Sequence, residues 1–287
     1  MKTKPFMSSK RSPGAMSIFI AFVLSLQSCT SVAPRNPVPE EKIGQAAIPG
    51  GSLARFWGDE RPPDVGARIE LIRDQLASNE DVEAFTRPHY YLTISGGGAN
   101  GAFGADLLKG WSQSGSRPEM TIVTGISTGA LIAPFAFLGS DFDDELEQLY
   151  TTLSTKDLVR ERSLIGGLLS DAMADTEPLR DFLQSKVDEQ MIEAIAREYE
   201  QGRRLLIGTT NLDAKRPVIW NIGAIAAVRT EESAQLIRDV MLASASIPGV
   251  FPPVRISVRV GEQEYDELHV GGGVTTAMYS FIPHNLI

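Results

Sequence analysis

Residues 90–101 read YYLTISGGGANG, and residues 121–129 read TIVTGISTG. Each is a strand-like run that breaks into glycine, and each is followed by a helical pattern. In the first, β-favouring residues fill 90–95 and Gly96-Gly97-Gly98 interrupts them. A helix of mostly small residues is expected from about Gly101 to Ser114. In the second, a strand over Thr121–Thr124 runs into Gly125-Ile126-Ser127-Thr128-Gly129, and an apolar helix is expected to Leu138. Gly125-x-Ser127-x-Gly129 is thus a G-x-S-x-G nucleophile elbow with a strand before it and a helix after it, the context that motif requires.

The chemistry accounts for the residue types. A serine on a sharp strand-to-helix turn has its hydroxyl pushed clear of the sheet edge. Gly125 and Gly129 remove side chains that would crowd that turn. The following helix aims its partly positive amino end at the serine. Acyl transfer also needs N–H donors for a tetrahedral oxyanion, and Gly96, Gly97 and Gly98 offer unshielded amides. Gly96-x-Gly98-x-x-Gly101 fits a dinucleotide fingerprint as well. That motif wants an acidic residue at the end of the second strand. The nearest candidate, Glu119, falls before that strand, which ends instead in the serine turn. The acyl-hydrolase reading is preferred; a nucleotide loop and a purely structural glycine turn are the alternatives.

These motifs resemble those of the patatin-like phospholipase family. That family carries a G-G-G-x-x-G oxyanion loop, a G-x-S-x-G nucleophile and, much later, an Asp-Gly-Gly or Asp-Gly-Ala motif whose Asp is the base. Gly96–Gly101 match the first, with Asn100 where many members have Arg. Gly125–Gly129 match the second, with Ser127 as the nucleophile. Ala243–Pro253, ASASIPGVFPP, resembles a further family block, A-S-x-x-x-P-x-x-F-P-P, and Gly208–Leu212 resembles a strand end near the family's site. The resemblance spans about residues 88–280. It implies an α/β fold, a three-layer α/β/α sandwich with a mostly parallel central sheet. It implies a serine acyl hydrolase acting on lipid or phospholipid esters, with no metal or organic cofactor.

The third motif departs from the pattern. Glu267-Leu268-His269-Val270 leads into Gly271-Gly272-Gly273. Gly272 and Gly273 match the two family glycines, so Gly271 stands where the Asp base is expected. A serine hydroxyl is a weak nucleophile without an adjacent base, and losing that base typically costs on the order of 10⁴-fold in kcat. His269, two positions back on the same strand face, is the best local substitute; the alternative is a satisfied structural histidine. Asp266 falls on the opposite face of a regular strand, and Asp213 reads as a turn residue. Two expectations therefore stand: a serine acyl hydrolase, or a membrane-tethered lipid- or protein-binding relative that keeps the fold without turnover.

Composition narrows the field. The chain has 287 residues, 43% hydrophobic and 22% charged, ordinary for a globular domain with one core. A net charge of −9 argues against sequence-independent nucleic-acid binding. One cysteine permits no internal disulfide, and three histidines (His89, His269, His284) without an H-E-x-x-H pattern argue against a zinc enzyme.

The first 28 residues read as a targeting segment: Lys2, Lys4, Lys10 and Arg11 precede an apolar run, Ala15 to Leu26. Leu26-Gln27-Ser28-Cys29 resembles a bacterial lipobox, with Cys29 the lipidated residue. An ordinary signal peptide or an uncleaved anchor is the alternative. Thr30 after Cys29 resembles outer-membrane sorting, so a lipoprotein on the periplasmic or cell-surface side is expected. Residues 29–66, rich in Pro and Gly, read as a tether, with the part around Arg55–Trp57 either packed on the domain or disordered with the rest, and residues 67–287 read as the α/β domain.

The rest of the chain fills out that domain. A helix is expected over Ala67–Phe85, and another carries the stripe Phe142, Leu146, Leu149, Leu153. Residues 154–175 are irregular and apolar around Gly166-Gly167; a buried loop is the preferred reading, and a lining for an acyl chain or a lid is the alternative. Helices follow at about 177–187, 189–200 and 231–242. Arg203–Thr210 and Pro217–Asn221 read as buried parallel strands, and 254–260 with 263–270 as a hairpin around Gly261-Glu262.

Overall fold

The structure is a computed structural model, and it describes residues 34–62, 64–78, 86–151, 160–161 and 174–276. The targeting segment with Cys29, the end of the expected first helix, most of 154–175 and the tail from residue 277 lie outside the described residues.

Seven strands form one sheet among the described residues. In chain order they are β1 (Arg55–Trp57), β2 (Tyr91–Ile94), β3 (Ile122–Ile126), β4 (Arg204–Asn211), β5 (Arg216–Asn221), β6 (Val254–Val260) and β7 (Gln263–Gly271). The order across the sheet is β1-β5-β4-β3-β2, with β7 also on β4 and β6 on β7. A two-residue ribbon, Arg160–Glu161 with Ala174–Asp175, stands apart. The helices are α1 (Val65–Ser78), α2 (Gly101–Gln113), α3 (Thr128–Leu138), α4 (Asp143–Thr151), α5 (Glu177–Lys186), α6 (Glu189–Glu200), α7 (Ile222–Ala226) and α8 (Glu231–Ala245).

β3 and β4 are buried at every residue, as expected of apolar strands covered on both faces. Their alternate residues divide between two layers. Val123, Leu205, Ile207 and Trp220 join the main core with Phe135 and Phe137 of α3, Ile195 of α6 and Ile237 of α8. Ile122, Leu206 and Ile219 form a smaller cluster on the other face, with Phe56 packed on it. Caps fix where the helices begin. Asp188 accepts from the Met191 amide at the start of α6, and Thr230 makes a capping box with Ser233 at the start of α8.

The expectation of a mostly parallel sheet is corrected. Only β2, β3 and β4 run parallel, as in the registers Leu92↔Val123 and Val123↔Leu205. β5 is antiparallel to β4, and β1, β6 and β7 add only antiparallel pairs. The cause is connection length: a turn over Leu212–Lys215 joins β4 to β5, and Gly261-Glu262 joins β6 to β7. A parallel neighbour needs a crossover of about a dozen residues or more, which neither turn supplies.

Part of the stretch expected as a tether packs on the domain. Residues from Pro37 onward belong to the same compact unit as the catalytic-type motifs. Pro37 bridges to Asp266 and Ala47 to Arg259, while β1 pairs with β5 through Phe56↔Ile219. Val38, Ile48 and Ala54 are buried in the main core. The proline and glycine content that marks this stretch as a linker instead serves short 3-10 turns between buried anchor points.

Candidate active site

β3 ends at Ile126, paired with Gly208 on β4. β7 runs the other way along β4 and ends at Gly271, paired with the next residue, Thr209. β5 occupies the opposite edge of β4 over 206–211, so β3 and β7 share one edge end to end. Their carboxyl ends therefore meet head to head at Gly208–Thr209. This brings Ser127, which follows β3, to the end of β7 where the third motif lies.

Ser127 has φ 55° and ψ −124° and opens α3. A non-glycine residue in that region costs about 1–3 kcal/mol and persists only where its surroundings hold it. Those surroundings are specific. The Ser127 amide donates to Ser244 Oγ at 2.9 Å, and the Ser244 hydroxyl donates to Gly208 O at 2.7 Å. Thr128 Oγ1 donates to Gly98 O at 3.1 Å, tying the elbow to the glycine loop. A Cβ on Gly125 would overlap Gly129 O, and one on Gly129 would overlap Ile94 O, so the turn closes only with glycine at both places.

The loop before α2 lies against the serine. A Cβ on Gly96 would stand 2.9 Å from Ser127 Cβ and 3.4 Å from its Oγ. The amides of Gly97 and Gly98 donate to no acceptor among the described residues, and both residues are exposed. Ser127 is half-buried, and no described side chain accepts a hydrogen bond from its Oγ.

Position 271, where the family resemblance leads one to expect the base, is glycine without a conformational reason. Gly271 has φ −47° and ψ 128°, ordinary for any residue. Its amide donates to Ser246 O at 2.7 Å, and its carbonyl accepts from Thr210 Oγ1 at 3.2 Å. A Cβ there would lie 3.1 Å from Ser246 O and 3.3 Å from Ser244 O. Gly272 is different: a Cβ would overlap Gly208 O. A Cβ on Gly273 would meet open space.

His269 sits two residues back, fully buried, with both ring nitrogens engaged elsewhere. The Trp220 indole N–H donates to Thr209 Oγ1 at 2.7 Å, and Thr209 Oγ1 lies 3.0 Å from His269 Nδ1. His269 Nε2 lies 3.2 Å from Glu267 Oε2, and Arg55 donates to the same carboxylate at 2.6 Å and 3.1 Å. Burial holds the imidazole below its ordinary pKa, so it is a neutral ring that accepts at Nδ1 and donates from Nε2. Burial raises the Glu267 pKa, but the contact with His269 and the charge of Arg55 outweigh it and leave it at about 2. The structure does not bring His269 to Ser127. Asp213 Oδ2 accepts from the Leu268 amide at 2.9 Å, a turn contact.

Ser244 is the residue of this candidate site that the sequence did not single out. Its block, Ala243–Pro253, was legible as a motif, but the role of its serine as a clamp between Ser127 and β4 depends on how α8 ends against the sheet. A cavity of about 950 Å³ does not adjoin Ser127; it lies at the amino ends of β2, β3 and β4.

A serine at a strained strand-to-helix elbow, with a glycine loop against it and helices on both faces of the sheet, defines an α/β protein of the serine-elbow class. The sequence model described as patatin-like phospholipase matches residues 92–281, and the chain belongs to that family. Its members in general hydrolyse lipid esters. Among solved structures, the crystal structure of VipD from Legionella pneumophila is similar at 14% sequence identity and a TM-score of 0.42. That match covers 69% of this chain and 48% of VipD, so the chain corresponds to about half of that protein. Comparison with curated proteins gave no match.

Proposed function

We propose that this chain carries a lipid-ester site of the patatin type in which Ser127 is the nucleophile and turnover is limited by the absence of a base at position 271. The observation that carries the reading is the Ser127 elbow itself, held at φ 55° against Gly96. The Gly97 and Gly98 amides serve as oxyanion donors, with Gly96 giving the loop its close approach. In the reaction Ser127 Oγ bonds to the ester carbonyl carbon and its proton passes to solvent water, the alcohol leaves after taking up a proton, and a second water cleaves the acyl-serine to release the acid and restore Ser127. Gly271 takes no proton, so acylation is slow. His269 contributes to the buried network and not to proton transfer. Exposed Phe103 and Leu107 on α2, Ile247 after Ser246 and Val274 after Gly273 give three site-forming segments apolar surface suited to a lipid substrate.

The test is p-nitrophenyl ester hydrolysis by the parent, Gly271→Asp and Ser127→Ala. Weak activity in the parent, a gain of about 100-fold or more in Gly271→Asp and none in Ser127→Ala support the reading. Full activity in the parent, lost in Ser127→Ala, points to another base. Silence in all three folded proteins favours the second reading, a binding relative without turnover, which the missing base alone supports. We also propose that Cys29 is lipidated and anchors the protein at the outer membrane, on the strength of Leu26-Gln27-Ser28-Cys29. Labelling by a fatty-acid analogue in the parent, absent in Cys29→Ser, tests it.

A further inference from the structure

A cavity of about 950 Å³ lies between α1 and the sheet face that bears Ile122, Leu206 and Ile219. It opens at the amino ends of the parallel strands, whereas Ser127 follows the carboxyl end of β3. The stripe Ile69, Ile72 and Leu76 of α1 forms the facing wall. No residue of α1 is fully buried, so the helix bridges the volume instead of packing into it. Both of its ends are fixed. Arg68 donates to Asp64 at 2.8 Å and to Leu53 O at 3.1 Å, and Gln75 Oε1 accepts from Arg204 at 2.7 Å. Protein interiors are close-packed, so two apolar walls held apart around a volume of this size form a receptor for an apolar ligand.

The wall also carries a buried charge with no counter-ion among the described residues. Arg204 is 8% exposed and lines the cavity. Its guanidinium donates to Tyr199 O at 3.2 Å, Arg203 O at 2.8 Å and Gln75 Oε1 at 2.7 Å, and it stacks 4.4 Å over the Tyr199 ring. All of these partners are neutral, and no carboxylate among the described residues pairs with it. Arg203 and Arg68, also on the wall, have Glu198 and Asp64, while Arg61 and Arg73 on the same lining are exposed to solvent. A guanidinium has five N–H donors, and the three hydrogen bonds of Arg204 engage three of its five. Burial lowers its pKa to about 10, which leaves it cationic at neutral pH. A buried unpaired charge is costly, and an anionic group placed there removes that cost.

We propose that this cavity binds one long-chain fatty acid as its carboxylate, with the alkyl chain between α1 and the sheet and the head group on Arg204. Arg204 is the buried cation of the lining without a carboxylate partner among the described residues, which calls for a single negative charge, and the volume falls within the range of about 300–1,000 Å³ typical of small-ligand sites. The inference does not rest on the hydrolase reading, because neither wall includes a residue of the Ser127 site.

The experiment is a fluorescence titration of the full chain with cis-parinaric acid, with competition by oleate, oleyl alcohol and lysophosphatidylcholine. Ser127→Ala, Ile72→Trp and Arg204→Met are compared with the parent after each is confirmed folded by thermal melting. Oleate is expected to displace the probe from the parent and from Ser127→Ala alike. Ile72→Trp fills the cavity and is expected to weaken oleate about tenfold or more. Arg204→Met is expected to weaken oleate about tenfold while changing oleyl alcohol less than about twofold. If Arg204→Met does not fold, Ile72→Trp decides alone. Oleate binding untouched by Ile72→Trp, or lost in Ser127→Ala, overturns the proposal. Stronger displacement by lysophosphatidylcholine than by oleate overturns it in favour of a zwitterionic lipid.

Discussion

The backbone amide of Ser127 donates to the hydroxyl of Ser244, a residue of α8 that reaches the elbow only through the fold. Ser244 is fully buried, and it passes the contact on to Gly208 O of β4. Ser244→Ala would leave an amide and a carbonyl unpaired in the interior. The expected cost is about 2 kcal/mol, and the thermal midpoint should fall by about 4–8 °C. Scanning calorimetry reads it directly. An unchanged midpoint would mean that α3 and the elbow glycines alone hold the strained serine.

The three glycines at 271–273 should behave as three different residues. Gly272→Ala drives a Cβ into Gly208 O, backbone against backbone, and should cost about 3 kcal/mol. Gly273→Ala points into open space and should stay within about 0.5 kcal/mol of the parent. Gly271→Asp has permissive backbone angles but must ease past Ser246 O and Ser244 O, at a cost of about 1 kcal/mol. The same substitution should still raise esterase activity. Melting curves for the three variants check the ranking, and equal costs at 272 and 273 would contradict the packing seen at Gly208.

The contact of Arg55 with Glu267 predicts acid sensitivity. Glu267 titrates at about 2 in the folded chain against an ordinary 4.5, so the unfolded chain binds the extra proton as pH falls. Its contribution is complete above about 4.5 and is lost as pH falls toward about 2. His269 is depressed below its ordinary 6.5, so its contribution is complete above that value and shrinks below it. Both slopes have the same sign: stability declines with acid from about pH 6.5 downward. Glu267→Gln strands the Arg55 charge and should cost about 3–5 kcal/mol at pH 7. It should also flatten the part of the decline below pH 4.5. Midpoints measured from pH 3 to 8 for both proteins test this, and parallel curves would remove Glu267 as the source.

The elbow was legible in the sequence because its chemistry is local. Gly125, Ser127 and Gly129 must be near neighbours for the turn to close, and Gly96–Gly98 announce themselves by breaking a strand. The helices α2, α3, α5 and α6 were placed to within a few residues, α3 as an apolar run and not by any amphipathic period. Strand direction was not legible. Arg203–Thr210 and Pro217–Asn221 are apolar runs that read alike in either sense, and only the short connection at 212–215 carried the signal for reversal. Long-range partners were hidden for a similar reason. Nothing in the composition of α8 says that Ser244 meets Ser127, nor does anything in 37–57 say that Val38 and Ile48 seat in the core.

That hidden N-terminal segment gives the sharpest check on where the domain begins. A protein lacking residues 1–66, the boundary expected from proline and glycine content, loses β1 from the edge of β5 and the buried Val38, Ile48 and Ala54. It also strips Arg55 from Glu267, leaving a carboxylate only 2% exposed without its cation. The lost ion pair alone should cost about 3–5 kcal/mol, and the exposed apolar side chains add about 1.5–3 kcal/mol for each large one. Against a total stability of about 5–15 kcal/mol, that removes most or all of the margin. A protein lacking only residues 1–36 keeps every one of these contacts and should melt within about 3 °C of the parent. Circular dichroism melts of the two truncations decide the matter. A cooperative transition near the parental temperature in the protein that starts at Ala67 would show that 37–57 is dispensable and that the fold begins where the composition first suggested.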